Sequence, residues 1–230
     1  FVSAKPLTEN QIGEMATQYF KRHPEQILSI MRSVQAALES HQDDQEKKII
    51  SQHWKFLNSL PYMGDESASS VFLFFYDVQC SYCHATSQNL EKLLKSNPKI
   101  KIIFVPLHLF GKESLYASKA MFYAGSKGQF KAFYQKLNAL NLLEGKLNIM
   151  AIEGVIRDLG LSVKKMHQFM QEKSLKQHIS NIESIQNDLG ISGTPFIFEI
   201  SNAMIQPLKI DNIHIHTGYA STKSLLEYLK

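Results

Sequence analysis

Two cysteines, Cys80 and Cys83, are the only ones in the 230-residue chain, and they form a single Cys-x-x-Cys. Two thiols at that spacing can open and close a small disulfide ring, and the thiolate is the form that attacks another disulfide. The pair follows the most strand-like run in the sequence, Val71-Phe72-Leu73-Phe74-Phe75-Tyr76, and precedes a helix-compatible segment, His84 to Lys95. A helix N-terminus offers unpaired N–H groups and partial positive charge, which favour thiolate over thiol. The arrangement predicts a protein thiol–disulfide oxidoreductase whose only redox group is its own Cys80–Cys83 pair, with no added cofactor. Cys80, at the mouth of the helix, is expected to be the exposed sulfur that forms the mixed disulfide. Cys83, one turn further in, is expected to be buried and to resolve it. Ser81 and Tyr82 help set how stable the reduced form is, and so the redox poise.

Other chemistry is compatible with the same residues. Two cysteines supply neither a disulfide framework nor four zinc ligands, but a zinc half-site or two inert thiols is the plain alternative. Cys80-Ser81-Tyr82-Cys83-His84 also matches the C-x-x-C-H pattern of c-type haem attachment, with His84 as axial ligand, although such a site usually sits in a small helical domain. Two exposed thiolates would suit Cu(I), so a copper-handling module is a further rival. No metal-ligand set is predicted elsewhere. His214 and His216 share one face of a strand pattern without further ligands and read as a solvated face.

Three more positions belong near the cysteines. Asp77, three residues before Cys80, is either a buried acid moving protons for Cys83 or a cap on the helix. His84 either tunes the thiolate electrostatically or faces solvent. Gly193-Thr194-Pro195 stands at a strand entrance, where an X-Pro bond can be cis and leave the Thr194 backbone open to an extended client, or be an ordinary turn.

The surrounding elements are those of an α/β chain. Ile100-Lys101-Ile102-Ile103-Phe104-Val105 reads as a second strand ended by Pro106, making a βαβ unit with parallel strands. Residues 113–189 read as helices, and Phe196–Ile200 and Ile213–His216 as an antiparallel strand pair. Ser221 or Thr222 can cap a last helix ending at Lys230. Removing 113–172 leaves the thioredoxin order, with a helical insertion in its middle. Residues 1–62 read as a helical arm without strand signal, carrying one apolar stripe through Phe20, Ile27, Met31, Val34 and Leu38. The stripe must be covered either by the chain itself or by a second copy. Pro61 and Gly64 mark the end of the arm, and residues 63–230 form the expected catalytic domain.

Composition excludes other classes. At 44% apolar residues the chain can build a core, and a formal charge of +4 without a basic run interleaved with aromatics does not point to nucleic acid. The longest apolar runs fall far short of the about 20 residues of a bilayer span. The chain begins at Phe1 rather than Met, which predicts a processed or trimmed N-terminus.

The segment Phe75-Tyr76-Asp77-Val78-Gln79-Cys80-Ser81-Tyr82-Cys83-His84 resembles the active-site segment of the Dsb family of bacterial periplasmic thiol–disulfide oxidoreductases. Gly193-Thr194-Pro195 resembles that family's cis-proline loop. Asp77, Tyr82, His84 and Thr194 are most similar to the DsbC- and DsbG-like isomerase branch, whereas the helical insertion is more like DsbA. Tyr19 to Ile27 is similar to the oligomerisation arm of larger DsbA-like and ScsC-like proteins, and Gly218-Tyr219 with Leu225, Leu226 and Leu229 resembles their C-terminal ending. Two departures stand out. Phe74 occupies the position six before Cys80 where DsbA-like oxidases carry a buried glutamate, and Ser81-Tyr82 replaces the more usual dipeptides. The resemblance implies a periplasmic location and substrates that are unfolded or misoxidised secreted proteins. It also implies a membrane redox partner of DsbB or DsbD type, a homodimer through residues 1–62, and formation or isomerisation of disulfides.

Overall fold

The computed structural model of the chain describes residues 6–140, 147–227 and 229. They fall into two compact units, residues up to Gln45 and residues from Glu46 onward.

The first unit holds α1 (Glu9–Arg22) and the first part of α2 (Pro24–Leu57). Thr8 starts α1 with a capping box: its side chain accepts the Gln11 N–H, and the Gln11 side chain accepts the Thr8 N–H. His23 closes α1, and Pro24 opens α2 at the position where a missing N–H costs nothing. No residue of α1 is buried, and Ile27, Met31, Val34 and Leu38 are 42–65% exposed. The apolar stripe therefore finds no cover among the described residues.

The second unit begins inside α2, where Ile50, Trp54 and Leu57 enter the core at helical spacing. The arm is thus shorter than the sequence suggests: residues 46–62 belong to the catalytic body. Gly64, expected only to mark the end of the arm, lies in a short strand. Tyr62–Gly64 is an edge strand, β1, antiparallel to β3 (Ile100–Leu107). Gly64 sits at φ +102°, where a Cβ would meet the Ile100 carbonyl oxygen at 2.2 Å, so a side chain is excluded there.

The sheet has the order β1-β3-β2-β4-β5, with β2 Ser70–Asp77, β4 Phe196–Ile200 and β5 Ile213–Thr217. β2 lies at the centre, parallel to β3 and antiparallel to β4, and every residue from Val71 to Asp77 is buried. Burial on both faces explains why its sequence is continuously apolar rather than alternating. β3 runs on through Pro106 rather than stopping before it. The Phe104 N–H donates to the Pro61 carbonyl on the β1 side. Strand alternation turns position 106 the same way, beyond the end of β1, where no N–H is needed.

The helix α3 (Ser81–Ser96) follows β2, as the βαβ reading requires. The insertion comprises α4 (Lys112–Ser126), α5 (Phe130–Ala139), α6 (Ile149–Asp158) and α7 (Val163–Phe169), with 141–146 outside the described residues. α8 (Lys173–Asp188) returns to pack on β3. An aromatic cluster joins insertion and sheet: Tyr134 of α5 lies 4.5 Å from Phe104 and 5.6 Å from Tyr76, centroid to centroid, and Phe74 stacks on Tyr76 at 5.1 Å. Phe74 fills with an aromatic ring the place of the acid expected from a DsbA-like oxidase. The last helix, α9 (Thr222–Glu227), is capped by Ser221, whose Oγ accepts the Ser224 N–H; its expected end at Lys230 lies outside the described residues. No helix of the described residues is long and apolar enough to cross a membrane.

Candidate active site

Three anchors fix the start of α3. The Cys80 N–H donates to the Asp77 carbonyl at 3.0 Å, closing a tight turn between β2 and the helix. Further along α3, the buried Thr86 and Asn89 fasten it to the C-terminal segment. The Ala220 N–H donates to Thr86 Oγ1, and Asn89 Nδ2 donates to both the Ala220 carbonyl and the Tyr219 hydroxyl. The third anchor is the Asp77 side chain, fully buried. It accepts from the Gln79 N–H at 2.9 Å, the Ser114 hydroxyl at 2.6 Å and the Phe110 N–H at 3.1 Å. Asp77 does not cap the helix. Its bonds run to its own turn and to the 110–114 segment, so it clamps the loop carrying Cys80 against the insertion.

The helix cap is Cys80 itself. Its sulfur accepts the Cys83 N–H at 3.2 Å, and as a thiol it donates to the Thr194 carbonyl at 3.3 Å. Cys80 is 7% exposed and Cys83 is 2% exposed. Cys80, expected to be the exposed sulfur, is itself largely buried, though less so than Cys83. The Cys80 sulfur turns back to cap the helix and is faced by Thr194, and Cys83 lies deeper still. Both are free thiols.

Their acidities are driven apart. The Cys80 thiol is lowered to about 6. The largest cause is the hydrogen bond from the Cys83 thiol, which outweighs the opposing effect of burial; the Thr194 side chain and the Cys83 and Tyr82 backbone N–H groups add to it. Cys83 is pushed far up, first by burial and then by serving as donor to Cys80. At neutral pH the outer sulfur is a thiolate and the inner one a thiol. The Thr194 hydroxyl is buried without a hydrogen-bond partner, yet close enough to the sulfurs to stabilise negative charge there.

Of the residues expected at the site, the structure gathers Cys80, Cys83, Asp77, Thr194 and Pro195, whose Thr194–Pro195 peptide is cis. Ser81 and Tyr82 are exposed, Tyr82 at 66%, and neither side chain has a hydrogen bond to the sulfurs. Tyr82 acts on Cys80 through its backbone. His84 is half-buried and its Nε2 lies 3.1 Å from Gln88 Nε2. A c-type haem does not fit: both sulfurs would have to reach the macrocycle, and Cys83 is inside the core. Among the described residues no group of three His, Cys, Asp or Glu is placed to hold a metal ion.

The family profile of the DsbA-like thioredoxin domain matches residues 71–207, more than half of the chain, including the cysteines, α3 and the Thr194–Pro195 turn. The chain belongs to the DsbA-like thioredoxin domain family. It is therefore a thioredoxin-like oxidoreductase of the DsbA family, and the DsbA-like domain carries its Cys-x-x-Cys where β2 meets α3. No curated protein matches the sequence at a significant level. Among solved structures, the chain is similar to Salmonella enterica Typhimurium BcfH, with 19% identity, TM-score 0.79, and 96% of this chain and 93% of that one covered. It is similar to a linker-deletion mutant of Proteus mirabilis ScsC, with 20% identity, TM-score 0.67 and coverages of 99% and 97%. The thiol-disulfide exchange protein alpha-DsbA2 from Wolbachia pipientis gives 24% identity, TM-score 0.64 and coverages of 80% and 94%. At these identities the likeness concerns the fold.

The sequence reading missed a groove of about 900 Å³ that opens at Cys80 and runs between α3 and α5. It also missed Ser114 and Phe110, which hold Asp77. The polar positions 84, 88 and 91, at helical spacing on α3, were the available signal for the groove.

Proposed function

We propose that the protein exchanges disulfides with secreted client proteins in the periplasm, forming and rearranging their bonds through Cys80 and Cys83. The observation that carries this reading is the opposed acidity of two adjacent sulfurs at one helix N-terminus. In the reductive direction the Cys80 thiolate attacks a client disulfide, one client sulfur leaves as thiolate, and a mixed disulfide remains. Cys83 then loses its proton, attacks Cys80 and releases the second client thiol. In the oxidative direction a client thiolate attacks the Cys80 sulfur of the intramolecular disulfide, and the departing Cys83 takes up a proton. A buried Cys83 ionises reluctantly, which prolongs the mixed disulfide and gives a client time to rearrange. The periplasmic setting and a DsbB- or DsbD-type membrane partner follow from the family resemblance.

The uncovered stripe on residues up to Gln45 supports pairing of two copies through their arms, since an exposed apolar row of this length is an association surface. Refolding of scrambled ribonuclease, paired with light scattering, tests the whole reading. The full chain should be larger than a monomer and should rescue scrambled ribonuclease. Deletion of residues 1–45 should give a monomer that still oxidises dithiols but no longer isomerises. A monomeric full chain that only oxidises would defeat the isomerase part. The reduction potential tells direction: a value near −120 mV marks an oxidant and one near −270 mV a reductant, on the roughly 150 mV span between DsbA and thioredoxin.

A further inference from the structure

We propose that the groove beside Cys80 selects clients carrying a lysine or arginine about five residues from the reacting cysteine, and that Glu91 is the residue that recognises it. This rests on the disulfide-exchange reading and adds the chemistry of the preferred substrate.

The groove has two walls. On α3 the wall is the row His84, Gln88 and Glu91; on α5 it is Gln135 and Asn138. Two side-chain bonds tie the walls together at their base: Gln135 Nε2 donates to Glu91 Oε2 at 3.3 Å, and Asn138 Nδ2 donates to Ser87 Oγ at 3.5 Å. Each amide gives one N–H to the facing wall and keeps a second N–H and its carbonyl oxygen for other partners. Glu91 uses one carboxylate oxygen for Gln135 and makes no ion pair with a described cation. Among the described residues, and apart from His84, it is the only ionisable side chain on the groove walls beyond Cys80. The surface offered to a client is therefore polar and carries a negative charge without an ion pair. That suits a cationic side chain and disfavours a carboxylate.

The spacing follows from the helix. Glu91 is eleven residues beyond Cys80, so it lies about 16 Å along α3 at 1.5 Å per residue. An extended client advances about 3.3 Å per residue, which places its fifth residue from the bonded cysteine beside Glu91.

Peptides with one cysteine blocked as a disulfide with thionitrobenzoate provide the test. Cys80 thiolate attacks the peptide sulfur, the protein–peptide disulfide forms, and yellow thionitrobenzoate leaves as its thiolate. The series places Lys, Gln or Glu three to seven residues from the cysteine on either side. For the full chain at low salt, Lys at about five residues should react roughly three- to five-fold faster than Glu, and the gap should close at high salt. Glu91→Gln should abolish the preference and Glu91→Lys should invert it, whereas Glu172→Lys, outside the groove, should leave the ratio as it was. Equal rates for Lys and Glu peptides at every position, or a preference that survives Glu91→Lys, would overturn the groove assignment. Failure of the parent reading looks different: the unsubstituted chain would then react with free Ellman's reagent no faster than an ordinary thiol.

Discussion

The backbone nitrogen of Cys83 points at the sulfur of Cys80 from 3.2 Å, so the attacking residue is the N-cap of its own helix. A capping oxygen would accept that N–H in most helices; here a sulfur accepts it, and ionising the sulfur strengthens the bond. The Cys83 thiol, donating to the same atom, makes the thiolate the favoured form.

The first consequence is a pH profile. Alkylation of Cys80 by iodoacetamide should rise with a midpoint near 6 rather than 9, while Cys83 stays inert in the native protein. Stability follows the same window. Unfolding returns Cys80 to its ordinary acidity near 9, so the folded reduced protein is stabilised by ionisation fully above about 9, and loses that contribution as pH falls to about 6. The oxidised protein has no such dependence. The melting temperature of the reduced form should therefore gain on that of the oxidised form between pH 6 and 9; parallel curves would refute the assignment.

Thr194 provides a separate handle. Its hydroxyl is buried, has no hydrogen-bond partner, and helps hold Cys80 down. Thr194→Val keeps the shape and removes the dipole. The alkylation midpoint should move up from about 6 toward 9, with thermal stability of the oxidised form unchanged or slightly raised, because no bonded partner is orphaned. An unchanged midpoint would mean that the hydroxyl does not contribute to thiolate stability.

Asp77 acts mechanically rather than as a helix cap. Asp77→Ala would orphan the Gln79 and Phe110 N–H groups and the Ser114 hydroxyl in one step. The expected loss is about 3 kcal/mol, and about half of that for Asp77→Asn, which keeps one acceptor oxygen. Native-state alkylation of Cys80 should also accelerate in Asp77→Ala, as the clamp on its loop is released. Denaturant unfolding measures the first effect and thiol kinetics the second.

How much of this was legible in the sequence depends on how local each signal is. The Cys-x-x-Cys between an apolar run and a helix pattern, and the Gly-Thr-Pro before a strand, are short and local, and the structure brings them together. The role of Asp77 was not legible, because its partners Phe110 and Ser114 lie more than thirty residues away and carry no motif. The three residues of β1 are too few for an alternation pattern, and Pro106 hid the end of β3 because only the strand order shows that its missing N–H faces away from a partner. The division inside α2 is invisible to periodicity: one continuous helix carries both the uncovered stripe and the buried Ile50, Trp54 and Leu57.

Glu199 sits outside the active site and still shapes how the fold responds to pH. In mid-β4 it pairs across the sheet with Phe72 on β2 and His214 on β5. It is 1% exposed, and neither carboxylate oxygen has a hydrogen-bond partner. Burial alone pushes its pKa up to about 8 from an ordinary 4.5. The folded protein keeps a proton there that the unfolded chain has already released, so stability falls as pH rises from about 4.5 to about 8 and then levels off. Glu199→Gln has no charge to desolvate and should lack this slope. It should match the wild type near pH 4.5 and exceed it at pH 8 by up to about 5 kcal/mol, the cost of keeping a proton on the folded carboxyl at about 1.4 kcal/mol per pH unit from 4.5 to about 8. Denaturant unfolding of the oxidised protein at both pH values isolates the effect from Cys80. A variant whose pH dependence runs parallel to the wild type would show that the Glu199 carboxylate finds a compensating partner when it ionises.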